Sequence, residues 1–202
     1  MPRPARYHHG DLHDTLLREA GILLREQGVE GLSLRRLAER AGVSRTAPYH
    51  HFADKNALLC ALAEQGFRRL DAMMGEVALD PADPEPGLRR FVRAYLRFAS
   101  DDPEQYELMF GRTLWKGGRP GADLKGVAYG CFRHYLVRLR PLVSRGEGDD
   151  TRPLRLAQAS WATLHGLCRL LLDGIYLRRE DMEAVSDQAV DLMLAALRPA
   201  RR

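Results

Sequence analysis

Within six residues the chain places Arg45, Thr46, Ala47, Tyr49 and His50, a set suited to meeting a DNA duplex. A guanidinium can fork onto the O6 and N7 of guanine, and a threonine offers a hydroxyl and a methyl. A small alanine lets the backbone approach a base edge, and the polar tips of tyrosine and histidine can reach phosphates. Lys55 stands at the opening of a further helix, where an ammonium and a helix N-terminus both favour a phosphate. Ser33, Arg35 and Ser44 complete the candidate DNA-binding residues. The only dense histidine group is His8-His9-x-x-x-His13, which could have incidental zinc affinity; no built metal site is expected there. The C-terminal part offers no HxxxH, HExxH or clustered carboxylate–histidine set. No nucleophile–base–orienter set and no cofactor fingerprint is visible either, so the expectation is neither an enzyme nor a cofactor protein.

These residues need elements that hold them outward. Residues 33 to 52 read SLRRLAERAGVSRTAPYHHF. Ser33 is an N-cap for a short helix carrying Leu34, Leu37, Ala38 and Ala41, and Gly42 can take the positive φ of a turn. Ser44 is a second cap, predicting a helix of about seven residues that ends near Phe52. Two short helices about a glycine turn have helix-turn-helix spacing. Ala38 is small where the helices approach, and Leu34, Leu37 and Val43 form an apolar clamp beneath. Pro48 falls in or just after the first turn of its helix, where a missing N–H costs least. A plain helical hairpin in a core would carry Glu and Lys in i,i+4 pairs on the second helix, and none is present.

Residues 12 to 59 resemble the DNA-binding domain of the tetracycline-repressor (TetR) family of bacterial regulators. The likeness rests on a long first helix ending in Gly28, on SLRRLAERAGVSRTAPYHHFADKNALL, and above all on the spacing of Tyr49, Phe52, Lys55 and Leu58. The YHHGDL start is similar to that of one subgroup. Pro48 stands where many members have Leu, and His50 where many have Arg or Tyr. Trp161-x-x-x-His165-Gly166 is similar to a Trp-His-Gly signature in the effector domains of one class. The resemblance implies a homodimer of all-α subunits whose second and third helices meet double-stranded operator DNA. It also implies a C-terminal pocket and repression relieved by a small-molecule effector.

The bulk composition agrees with a globular chain. The 202 residues are 45% hydrophobic and 29% charged, too apolar for disorder and without an apolar run that could span a bilayer. The start MPRPARYHHGD has no apolar core of a signal peptide, so a cytoplasmic location without membrane association is expected. Cys60, Cys131 and Cys168 are widely spaced and are expected as buried free thiols. A net charge of +4 permits a polyanionic partner, and five of the seven histidines lie in the first 51 residues.

Apolar residues recur at three- and four-residue steps almost throughout, which predicts an all-α fold of about nine helices. A first helix opens at the Asp11 cap and runs to about Gln27. After the helix-turn-helix, Asp54 caps a longer helix through about Met74. Further helices are predicted over 87–100, 103–112, 122–144, 153–177 and 181–197. The prolines of 80–87 mark a boundary, and 144–153 reads as a mobile loop. The organisation is a flexible basic, His-rich arm (1–10), an N-terminal three-helix helix-turn-helix domain (11–53) and a larger helical domain for ligand and dimerisation (54–202). Residues 54–74 serve as its connector.

Aromatics and Met at helical spacing fill 91 to 135. Most must be core, but polar-tipped aromatics could also line an apolar cavity. Phe98, Tyr106, Phe110, Trp115, Tyr135, Trp161 and His165 are the candidate ligand-binding residues. The last two helices have broad apolar faces, including Leu154, Leu164 and Leu171, then Val185, Ala189, Leu192 and Met193. A monomer with so few other elements is not expected to cover both, which predicts a four-helix dimer interface. The competing readings are an all-α enzyme using His165 or a cysteine, and a dimeric adaptor without DNA.

Overall fold

The computed structural model describes residues 9–143, 151–175 and 178–197. The described residues are helical with no strand: α1 (His9–Gly31), α2 (Leu34–Ala41), a 3-10 turn (Ala47–His50), α3 (Lys55–Glu76), α4 (Pro84–Asp101), α5 (Pro103–Phe110), α6 (Arg112–Trp115), α7 (Ala122–Val143), α8 (Thr151–Leu172), a 3-10 turn (Arg179–Asp181) and α9 (Met182–Leu197). None of these helices is long and apolar enough to cross a membrane. Most of the predicted arm, 1–8, and most of the loop 144–153 lie outside the described residues.

The chain folds as two compact units. One comprises residues 1–66 with 102–126, and the other 67–101 with 127–202. Helix α3 therefore belongs to both, and the proline-rich segment 80–87 lies within the second unit. The prolines of that segment do not end a helix. Pro84 is the first residue of α4 and Pro86 sits in its first turn, where an absent N–H leaves no hydrogen bond unmade.

In the first unit α1 begins two residues before the expected Asp11 cap, because a capping residue type permits a start without imposing one. Its regular helix breaks at Gly28, with φ 65° and ψ −174°. The apolar stripe of Leu16, Leu17, Ala20, Leu23 and Leu24 is buried, and α1 packs on α2 and α5. A guanidinium NH of Arg25 donates to Asp102 Oδ2 at 3.3 Å, and Asp102 Oδ1 also caps α5 by accepting from the Gln105 N–H. The expected helix 103–112 is instead two. Gly111, extended at φ −77° and ψ 176°, separates α5 from α6. Buried Gln105 donates from Nε2 to the Leu62 carbonyl at 2.9 Å.

In the second unit α4 packs against both α8 and α9. Part of the apolar faces of the last two helices is thus covered within one chain. Leu164, Ala189 and Met193 are buried within the subunit, against its own core. Leu154, Leu171 and Val185 are half-buried, and Leu192 is 61% exposed. Helix α8 stops at Leu172, short of the predicted end at 177. Gly174 takes φ 66° there, and the N–H of Ile175 turns back to the Leu170 carbonyl at 2.9 Å, a glycine stop that costs no Cβ clash.

Ion pairs clasp α9 to α4. Arg89 reaches Asp187 at 3.1 Å and Asp191 at 3.0 Å, and Arg93 reaches Glu183 at 3.1 Å and Asp187 at 3.0 Å. Burial alone would raise the Asp187 carboxyl, but the hydrogen bonds from Arg89 and Arg93 outweigh it and hold the group below its ordinary value. A depressed carboxylate stabilises the fold above its unfolded pKa, near 4, and loses that contribution as pH falls through the folded value. The thermal midpoint should therefore drop between about pH 5 and 3, and Asp187→Asn should flatten that drop. An unchanged acid profile in the variant would remove Asp187 from the account.

Candidate nucleic-acid interface

The helix-turn-helix is built by two caps and one interrupted helix. Ser33 is extended (φ −149°, ψ 153°) and its hydroxyl accepts from the Arg36 N–H at 3.2 Å. Gly42 closes α2 at φ 66°, and the next residue, Val43, donates its N–H to the Ala38 carbonyl at 3.1 Å. Leu34, Leu37 and Ala38 are buried beneath, and Val43 is half-buried.

The second helix departs from expectation. The predicted seven-residue helix is a single 3-10 turn, and Ser44 does not cap it: its hydroxyl lies 3.2 Å from that of Thr46. Pro48 supplies the reason. Without an N–H it cannot donate to the Ser44 carbonyl, so the segment is held by shorter-range bonds. Ala47 donates to the Ser44 carbonyl at 3.0 Å, Tyr49 to Thr46 at 3.1 Å and His51 to Pro48 at 3.0 Å, and an α-type bond follows only at the exit, from the Phe52 N–H to the Pro48 carbonyl at 2.9 Å. Pro48 itself is buried, and Tyr49 beside it is turned outward to 56% exposure.

Arg35, Ser44, Arg45, Thr46 and His50 are exposed as well, while Ser33, Ala47 and Lys55 are half-buried. A surface cleft of about 280 Å³ brings together Ser33, Leu34, Arg35, Tyr49, Ala53, Asp54 and Lys55. Two helix starts meet there, that of α2 behind Ser33 and that of α3, where the Asp54 carboxylate accepts from the Ala57 N–H at 2.8 Å. Among the described residues Arg35 is held only by an exposed i,i+4 pair with Glu39 at 3.2 Å, a bond weak enough to exchange for a phosphate. Arg45 and Lys55 have no acidic partner among the described residues. Such a rim of helix starts, available cations and a tyrosine hydroxyl offers donors of the kind an anion needs, with the Asp54 carboxylate as the acid among them.

Other residues of the same segment hold the fold. Arg40 forks onto Glu26 at 2.7 and 3.0 Å and reaches Glu19 at 3.1 Å, tying α2 to α1. Arg36 donates to the Gln27 side chain and the Gly31 carbonyl. The ring of His13 lies 5.7 Å from that of His51 and 5.4 Å from that of Phe52. Of the histidine group, His8 and the side chain of His9 lie outside the described residues. Sequence reading missed Ala53 and Asp54 as cleft residues, and it missed Asn56. Asn56 makes two hydrogen bonds to the Arg119 backbone, a contact across 63 positions that no local pattern encodes.

The candidate ligand residues fall in both units. Tyr106 and Phe110 pack at 4.8 Å in the first, and there Trp115 donates its indole N–H to the Met109 carbonyl at 2.6 Å. In the second, Trp161 is ringed by Tyr135 at 5.2 Å, Phe132 at 5.6 Å and Tyr95 at 5.7 Å. The Tyr135 hydroxyl lies 2.7 Å from that of Ser160, and burial raises its pKa. Phe98 and His165 are half-buried. The three cysteines are buried free thiols. Burial first, and the nearby Asp71 carboxylate second, push the Cys131 thiol up to about 12, which leaves no thiolate for chemistry near neutral pH.

An all-α chain whose first unit presents this rim on a helix-turn-helix has the architecture of a transcription regulator. Residues 16–62 match the model for bacterial regulatory proteins of the tetR family, and residues 88–197 match that of the tetracyclin repressor-like C-terminal domain. The chain belongs to the TetR family. It is 39% identical over 158 residues to the HTH-type transcriptional repressor AcnR of Corynebacterium glutamicum, covering 76% of this chain and 73% of that one. It is 57% identical over 51 residues to the class A tetracycline repressor protein from transposon 1721 of Escherichia coli, covering 25% of this chain and 24% of that one. The chain thus spans about a quarter of the length of the two tetracycline repressors it matches. Among solved structures, a Rhodococcus sp. RHA1 protein of unknown function is similar at 31% identity and a TM-score of 0.76, covering 94% of this chain and 97% of that one.

Proposed function

We propose that this protein is a homodimeric repressor that grips a near-palindromic DNA operator through the rim at 33–55 and is released from it by a small, largely apolar effector. The observation that carries the reading is the cleft that gathers Ser33, Arg35, Tyr49 and Lys55 at two helix starts. Two such rims must enter successive major grooves, roughly 34–36 Å apart, so a two-fold dimer is required. Exposed Leu170 and Leu192, with half-buried Leu154, Leu171 and Val185, are among the apolar side chains of α8 and α9 that a second copy would cover. The aromatic ring around Trp161, with His165 one turn beyond it, supports an effector site of apolar walls and a few polar tips. An effector there can change DNA affinity only by its preference for one conformation over another.

The test is a salt series of binding to duplex from the protein's own upstream region, with random duplex as control. Binding should weaken steeply with salt and favour the upstream palindrome. Lys55→Ala should weaken both duplexes alike and flatten the log–log salt slope by about one unit. A folded dimer that prefers no sequence at any salt would falsify the reading.

A further inference from the structure

We infer that residues 116–121, the link between α6 and α7, form a second phosphate-gripping element that widens the DNA footprint beyond the helix-turn-helix. The inference rests on the DNA-binding reading above. Residues 111–126 carry four cations, Arg112, Lys116, Arg119 and Lys125, against the single acid Asp123. All four are exposed, and none is paired with an acid among the described residues. Arg25, Arg36 and Arg40 of the same unit are, by contrast, each bonded to a side chain within it.

The link is held in place by polar contacts made at the start of α3. Asn56 donates from Nδ2 to the Arg119 carbonyl at 3.0 Å and accepts at Oδ1 from the Arg119 N–H at 3.2 Å. The Cys60 Sγ lies 3.9 Å from the same carbonyl. Gly118 lets the chain close down: a Cβ there would stand 2.7 Å from the Thr113 carbonyl and 3.0 Å from Asn56 Oδ1. Asn56 directly follows Lys55, which lines the cleft. The clamp therefore fixes the Arg119 backbone next to the start of α3 that carries Lys55, and Lys116 lies three residues earlier in the same short link. Like charges gathered on a held backbone repel one another unless a polyanion meets them. A DNA backbone is such a partner, and each phosphate neutralised releases counterions that the salt slope counts.

The experiment uses the full chain and fluorescence anisotropy on its upstream duplex and a random duplex, from about 50 to 200 mM salt. The double variant Lys116→Ala/Arg119→Ala should flatten the salt slope by roughly one to two units and weaken both duplexes alike. Arg119→Lys should keep the wild-type slope. Asn56→Ala removes no charge, yet it should flatten the slope by freeing the link, with circular dichroism confirming the fold. Arg90→Ala, which removes an exposed cation from α4 in the other unit, is the control for net charge. A double variant that keeps the wild-type slope, or changes it no more than Arg90→Ala does, overturns the inference. If Lys55→Ala flattens the slope while the double variant does not, only this inference fails. If the wild-type protein shows no salt-sensitive binding, the DNA-binding reading fails and takes the inference with it. Binding of an acidic protein rather than DNA at this link would likewise overturn it.

Discussion

Leu37→Ala should lose about 2–5 kcal/mol of folding stability and, with it, operator binding at growth temperature. Leu37 is fully buried in the middle of α2, while Arg35, Arg36, Glu39 and Arg40 of the same helix are exposed. Truncation removes its transfer free energy and leaves a cavity whose walls cannot readily collapse. The helix is pinned at one end by the Ser33 cap and at the other by the Gly42 turn, and Arg40 ties its last turn to Glu19 and Glu26 on α1. Domains have only about 5–15 kcal/mol in total, so the loss is a large share. Denaturant unfolding followed by circular dichroism measures it. Leu37→Met, close in volume, should cost less than about 1.5 kcal/mol. Equal stability for the alanine and methionine variants would mean that α2 re-packs freely and that the caps do not fix it.

Arg45→Ala should lower discrimination between operator and random duplex by about 1–3 kcal/mol, roughly five- to 150-fold, with stability unchanged. The side chain is exposed and has no acidic partner among the described residues, so its removal breaks nothing in the fold. Arg45→Lys should recover little of the discrimination, because an ammonium cannot make the paired hydrogen bonds of a planar fork. If operator and random duplex weaken equally, Arg45 meets a phosphate and not a base. That outcome is informative because of Pro48. A 3-10 turn advances about 120° per residue, against about 100° in an α-helix. Tyr49, within that turn, is therefore displayed relative to Arg45 at an angle that an ordinary second helix would not give it.

The local grammar was legible in the sequence. The apolar stripes of α1 and α2, the caps at Ser33 and Asp54 and the positive-φ turn at Gly42 each depend on residues within a turn or two of one another. Side-chain type and spacing determine them, and with them the all-α class and the exposure of Arg35, Ser44, Arg45, Thr46, Tyr49 and His50. Tertiary structure decided what depends on distant partners. Residues 102–126 join the N-terminal unit through Asp102 with Arg25 and Gln105 with Leu62, so the units are not consecutive stretches of chain. Helix α4 packs on α8 and α9, and Leu164, Ala189 and Met193 are buried, which left fewer side chains for a second copy than their apolar spacing suggested. Pro48 was visible as a missing donor, but that its ring would be buried within a single 3-10 turn is seen only in the fold. The clamp of Asn56 on Arg119 spans 63 positions. Both of its bonds end on backbone groups of Arg119, which carry no mark of their partner in the sequence.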